Sequence, residues 1–334
     1  MLEIRDLAIG YKHSKKKIKY LQQNIYLDSS DSELIAVVGE NGVGKSTFLR
    51  TIAFLQNSIS GKIIINGKEI NNFSRNELAK IISFVSTDLI SYAHIDVYTL
   101  ISQGRFPYTN WIGKLQDADV EIVENAISLL NLHQHKYKYI NEISDGERQR
   151  ALIARALVQD TKIIILDEPT AFLDLSNKYQ ITAILKRLSR DENKTIIFSS
   201  HDFNIVLNEA DKIWLFNKEK VFSGAPEDLI INNSFDSLFI NSNLKFSIEK
   251  ADFINIKNKT KKIFIKENVK YKTLTIRALE RLSFEITDNK NVNLRIEIIE
   301  QNKIPLWILN FNINEKAEMF NSIYMLANFL RKFI

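Results

Sequence analysis

Apolar and polar residues alternate from Leu2 to Ile9, the period of a strand, and the run ends at Gly10-Tyr11. Lys15-Lys16-Lys17 then reads as a solvated hairpin turn between two strand-like segments. The short apolar run Leu34-Ile35-Ala36-Val37-Val38 predicts a buried strand, and Phe48 to Ile52 continues with helical spacing. Gly61 to Gly67 predicts a strand closed by an Asn66-Gly67 turn. From Ser74 to Ile82 the pattern predicts a short helix, with Ser74 as N-cap and Glu77 completing a capping box. Strand character follows over Ile81 to Ser86. Val97 to Asn131 is helical twice over, broken at Gly104 to Tyr108, where Pro107 predicts a loop. Ser144 reads as the N-cap of a helical run reaching Val158. Two further β-rich runs stop at polar pairs, Ile163 to Leu166 at Asp167-Glu168 and Thr195 to Ser200 at His201-Asp202.

Beyond about residue 240 the composition shifts towards Asn and Lys, as in the stretch 255–262, which reads as a solvated loop. Alternation over 262–266, 291–300 and 306–311 predicts three strands. Tyr271 to Leu282 and Glu315 to Lys332 read as helices, the second with Phe320, Ile323, Leu326 and Leu330 on one side. The expected division is a large unit over 1–238 and a small α+β accessory domain over 239–334.

The stretch Gly39-Glu40-Asn41-Gly42-Val43-Gly44-Lys45-Ser46-Thr47 lies between the apolar strand and the helix. A strand, a loop of three glycines and a helix is the context of a phosphate-binding loop. Glycine lets backbone N–H groups turn inward around a phosphate chain, and the helix directs its positive end at the anion. Lys45 is placed to reach the β- and γ-phosphates and the Ser46 hydroxyl to ligate Mg²⁺. A nucleoside triphosphate is the expected ligand.

An apolar strand ending at Asp167 can present that carboxylate to Mg²⁺, which puts Glu168 where it can polarise a water against the γ-phosphate. A lone histidine is commonly structural, but His201 at a strand end near the phosphates has the γ-phosphate within its range of roles. Tyr11 is open between a half-buried aromatic at a strand end and a flat ring for adenine to stack on.

The 334 residues suffice for one large and one smaller domain, and 45% hydrophobic with 25% charged residues argues against global disorder. Absence of cysteine excludes disulfides, thiolate metal sites and thiol catalysis, and fits a reducing compartment. A net charge of +5 without a dense basic run makes no demand for nucleic acid. The acids of Met1-Leu2-Glu3-Ile4-Arg5-Asp6 do not read as a signal peptide, and no apolar run is of membrane-spanning length. Any membrane role is expected to come through a partner.

Taken in order, Tyr11, the phosphate loop, Ser144 to Gln149, Asp167-Glu168, Leu173-Asp174 and His201 resemble the ATP-binding subunit of an ABC transporter over roughly residues 1 to 230. The resemblance implies a P-loop NTPase core of α/β class with an antiparallel β subdomain and a helical subdomain at about 72–155. It also implies a head-to-tail homodimer enclosing two ATP molecules, in which Ser144 and Gly146 of one copy cap the γ-phosphate bound by Lys45 of the other. Gly39, Asn41, Gly42, Gly44, Lys45, Ser46, Thr47 and Asp174 fall on the family's nucleotide-contacting positions, with Ser46 and Asp167 on Mg²⁺. A separate integral membrane permease, reached through Gly104 to Tyr108 and Thr87-Asp88, and indirectly a substrate-binding protein complete the expected partners. The location this implies is peripheral, on the cytoplasmic face of a bacterial inner membrane.

Gly104 to Tyr108 and Trp111 to Leu115 resemble the segment found in importers of iron–siderophore, haem and cobalamin complexes, and Ala171 to Asp174 and Ser144 to Gln149 resemble the versions in such importers from Bacteroidetes-type bacteria. Three positions depart from the family. Thr87 replaces the usual Mg²⁺-ligating glutamine, so either a water fills in or Asp88 takes the metal contact. Asp145 replaces a signature glycine and is expected to point away from the phosphate. Glu147 replaces a glutamine, which a helix start tolerates. Among rivals, an exporter subunit is the alternative within the class. DNA-structural ATPases of this kind need a long coiled coil between Gly39 and Ser144, and ribosome-acting ones need a second phosphate loop, and neither is present.

Overall fold

The computed structural model describes all residues except 15–16, 87–93, 110–112, 240–243, 248–251, 256–260, 267–269, 302, 312–316 and 334. They form two compact units, Met1–Phe253 and Ile254–Ile334.

The first unit is built on a six-stranded sheet in the order Val221–Gly224, Lys212–Phe216, Leu34–Gly39, Thr195–Ser199, Ile163–Leu166, Ile82–Val85. All neighbouring pairs are parallel except the one made by the edge strand Val221–Gly224. Parallel sheets are covered on both faces, which explains the unbroken apolar runs. Alternate side chains serve opposite layers. Leu34, Ala36, Val38, Ile164, Leu166, Ile196 and Phe198 face a helical layer that includes Asp145–Val158 and Leu175–Arg190. Ile35, Val37, Ile163, Ile165, Ile197, Trp214 and Phe216 face the other way, against Phe48 and an antiparallel sheet. That second sheet runs Lys17–Ser29, Leu2–Ser14, Ser60–Ile65, Lys68–Glu69.

Local signals hold where they are short-range. Ser74 and Glu77 form the capping box of helix Arg75–Ala79, and Asn66 and Gly67 both take positive φ in their turn. Gln103–Tyr108, by contrast, is a 3₁₀ helix containing Pro107, where a loop was expected. The tighter winding is held by Arg105, whose buried guanidinium contacts Asp119 at 2.8 Å and donates to the Val158 carbonyl at 2.8 Å. Of the aromatics there, Tyr108 stacks on Arg105 at 4.0 Å whereas Phe106 is 59% exposed.

The first unit ends at Phe253, whereas the sequence division places the boundary after residue 238. The cause is aromatic packing: Phe246 and Phe253 join Phe203, Phe235 and Phe239 in one cluster.

The second unit is a five-stranded sheet ordered Phe284–Ile286, Lys261–Ile265, Leu294–Gln301, Ile304–Phe311, Glu318–Phe320. Helices Lys272–Arg281 and Ile323–Leu330 supply Leu279, Leu326 and Leu330 to its core, and Trp307 Nε1–H donates to Thr275 Oγ1 at 2.9 Å. The α+β class agrees with the sequence pattern, but two three-residue strands were not anticipated. The last helix also starts later than expected, at Ile323, because Ser322 caps it and Phe320 pairs as a strand residue opposite Trp307.

Phe48 joins the phosphate-loop helix to the sheet, with its ring 5.7 Å from Trp214 and 4.9 Å from Phe216. Phe48→Ala is expected to destabilise the first unit by about 3–5 kcal/mol, read by denaturant unfolding. A loss below about 1 kcal/mol would contradict this packing account.

Candidate active site at the sheet edge

The carboxyl ends of three parallel strands deliver the chemistry. Strand Leu34–Gly39 opens into the loop and helix Lys45–Ile52 begins directly after it. Gly44, the residue before that helix, has φ +110°, a conformation L side chains rarely adopt, and an added Cβ would stand 3.2 Å from Leu21. Asn41 and Gly42 are exposed while Lys45 and Thr47 are buried. The Lys45 ammonium donates to the loop's own carbonyls, Gly39 at 2.9 Å and Glu40 at 3.1 Å, which leaves a third donor free. Burial pushes Lys45 below its ordinary 10.5, and the negative charges of Glu168 and Asp167 oppose that shift. Tyr11, half exposed, hydrogen-bonds Thr47 through its hydroxyl at 3.0 Å, so its ring sits at the loop's margin. Sequence reading did not anticipate that tether.

Asp167 and Glu168 follow the fully buried strand Ile163–Leu166. Ser46 Oγ donates to Asp167 Oδ1 at 3.0 Å, and the buried Ser199 hydroxyl donates to the same oxygen at 2.8 Å. Ser199 Oγ also accepts from the Glu168 N–H at 2.8 Å. Glu168 has φ +50°, an unusual conformation for this residue type and one that costs about 1–3 kcal/mol. Ser199 is the residue that sequence reading missed. The usable signal was a polar residue closing the apolar strand Thr195–Ser199, whose Phe198 registers with Leu166. His201 follows directly, and its Nε2–H donates to Glu168 Oε1 at 2.7 Å. Lys45, Ser46, Asp167, Glu168 and His201 are thus brought to one edge.

The signature segment is placed differently in detail. Ser144 caps helix Asp145–Val158 in a capping box with Glu147, its Oγ accepting at 3.3 Å and its backbone N–H donating to the Glu147 carboxylate at 2.8 Å. The Ser144 side chain is exposed and keeps its own proton to donate. Asp145 pairs with Arg148 at 3.0 Å. Gly146 is buried rather than open: an added Cβ would lie 2.5 Å from the Asn177 amide oxygen, so the glycine is required by that close approach. Asp174 caps helix Leu175–Arg190, accepting from the Asn177 N–H at 2.8 Å. That bond uses one carboxylate oxygen, and the residue is exposed. Thr87 and Asp88 lie outside the described residues.

The donor set fits a nucleotide with a small hard cation. A hydroxyl and a carboxylate oxygen already meet at Ser46 and Asp167, and no group of three His, Cys, Asp or Glu residues suited to a metal occurs among the described residues. Two protein oxygens with the rest from phosphate and water is the coordination Mg²⁺ favours.

Fold and site together define a P-loop nucleotide-binding ATPase. A family model described as ABC transporter matches residues 11–171, and one described as iron ABC transporter C-terminal domain matches residues 260–331. An uncharacterised ABC transporter ATP-binding protein of Methanocaldococcus jannaschii is 34% identical, over 79% of this chain and 91% of its own length. The petrobactin import ATP-binding protein FpuC of Bacillus anthracis is 34% identical, over 69% of this chain and 84% of its own. A solved structure described as an inward-facing conformation of a putative metal-chelate type ABC transporter superposes with a TM-score of 0.63 at 27% identity, covering 76% of this chain and 94% of that one. The chain belongs to the ATP-binding proteins of ABC transporters, as its motifs led one to expect, and is an ATPase of that family.

Because unfolded Lys45 holds its proton more firmly than folded Lys45, stability rises as pH climbs through the lowered folded value towards 10.5. Lys45→Met is expected to remove that rise, so its stability relative to wild type shrinks from neutral pH towards 10.5 in denaturant titrations. Parallel stability curves for the two proteins would contradict the burial account.

Proposed function

We propose that this chain is the ATP-hydrolysing subunit of an importer for an iron complex, siderophore or haem, acting through a separate membrane permease. The observation that carries the reading is the union in one chain of an ABC ATPase with a match to the iron ABC transporter C-terminal domain. The petrobactin import relative supports it, and both favour iron complexes over cobalamin. No described helix is long and apolar enough to cross a membrane.

In this reading Tyr11 offers a ring face to adenine. Gly39 to Thr47 wrap the phosphates, and Lys45 spends its free donor on the β- and γ-oxygens. Ser46 and Asp167 would hold Mg²⁺, which supplies charge neutralisation on the phosphates. Glu168, fixed by Ser199, accepts the proton of the attacking water and His201 orients that carboxylate. The exposed Ser144 hydroxyl serves the nucleotide of a second copy in a homodimer. The exposed Phe106 marks the face offered to the permease at the cytoplasmic side of the membrane.

Glu168→Gln keeps size and hydrogen bonding but cannot take a proton. Phosphate release should fall about 100-fold or more while equilibrium ATP binding is retained. Turnover near wild type would remove Glu168 from this role. Co-purification from native membranes is expected to bring down a many-helix permease. Recovery of a soluble dimer with ribosomes or DNA instead would overturn the transport reading.

A further inference from the structure

His201 is immediately followed by Asp202, which caps helix Phe203–Glu209 and contacts Lys178 at 3.1 Å. Phe203, the first residue of that helix, lies two positions beyond the histidine. Its ring lies 4.9 Å from the ring of Phe253 at an interplanar angle of 61°. Phe253 is the hub of the aromatic cluster. It also lies 6.1 Å from Phe235, 5.1 Å from Phe239 and 5.1 Å from Phe246, mostly edge to face. Edge-to-face rings hold a preferred geometry rather than sliding freely. Phe253 also lines a cavity of about 610 Å³ whose wall includes Glu168, Ser200 and His201. In the chain it is the last residue of the first unit, joined directly to Ile254 of the second.

We propose that Phe253 is a positioning residue for His201: by packing on Phe203 it fixes the loop 200–202, and with it the His201–Glu168 hydrogen bond. This rests on the roles assigned above to Glu168 and His201. Phe253 touches each of the other four rings in the cluster, so removing its ring loosens the packing against Phe203.

The test uses the full chain with Phe253→Ala and, as the conservative variant, Phe253→Leu. In Phe253→Ala, kcat should fall about 10-fold or more with ATP affinity retained, as expected when a reacting group is misplaced without loss of binding. Phe253→Leu should recover most of it. A second readout is independent of turnover. The imidazole nitrogen signals of His201, assigned among the five histidines with His201→Gln, should move in Phe253→Ala and return in Phe253→Leu. Unmoved His201 signals with wild-type kcat would overturn the proposal. So would a fall in kcat accompanied by unmoved signals, because that is a general packing loss. If His201→Gln itself hydrolyses ATP as wild type does, the role of His201 fails; moved signals in Phe253→Ala would still uphold the positioning.

Discussion

Everything in the first unit depends on where the buried parallel strands end. Ile163–Leu166 and Thr195–Ser199 are paired in register, Leu166 beside Phe198, so Asp167 and Ser199 emerge within hydrogen-bond reach. Leu34–Gly39 pairs with Thr195–Ser199 on the other side and delivers the phosphate loop to the same edge. Ser46, Asp167, Ser199 and Glu168 then form one continuous chain of hydrogen bonds. Bonds to an ionised carboxylate contribute about 1.5–3 kcal/mol each, and in a buried setting losing one partner costs more than the bond was worth. A one-residue slip of either strand would turn every side chain to the opposite layer, so the hydrophobic layers hold the register that the polar chain needs.

That rigidity also supports conformations that would not persist alone. Glu168 at φ +50° and Phe172 at φ +62° both occupy the left-handed region, within six residues of a strand that is wholly buried. Glu168 is held by Ser199 on its N–H and by the Ala171 N–H on its carbonyl at 3.0 Å. Phe172 is left 94% exposed. The sheet thus absorbs local strain at the Glu168 carboxylate, beside the phosphate-binding loop.

The parts legible in the sequence were those encoded over a few neighbouring residues. Three glycines with Lys45 and Ser46 specify a phosphate loop locally, and Ser74 with Glu77 specifies a helix start. The β-rich runs announce their strands, and Asp167-Glu168 announces its strand's end. What escaped was set by residues far apart in the chain. Ser199 clamps two acids more than thirty positions earlier, and only the strand register brings them together. Asn177 approaches Gly146 closely, a packing contact that the neighbouring residues do not announce. Phe246 and Phe253 move the unit boundary because rings at 203, 235 and 239 were waiting for them. Phe284–Ile286 and Glu318–Phe320 are too short for a period of two to show.

Uptake of radioiron-labelled siderophore into vesicles carrying the co-purified permease, with ATP supplied on the side of this chain, tests the account most directly. The account predicts ATP-dependent accumulation inside that fails with Glu168→Gln. Iron movement indifferent to ATP, or ATP-driven movement of the complex outward, would contradict it.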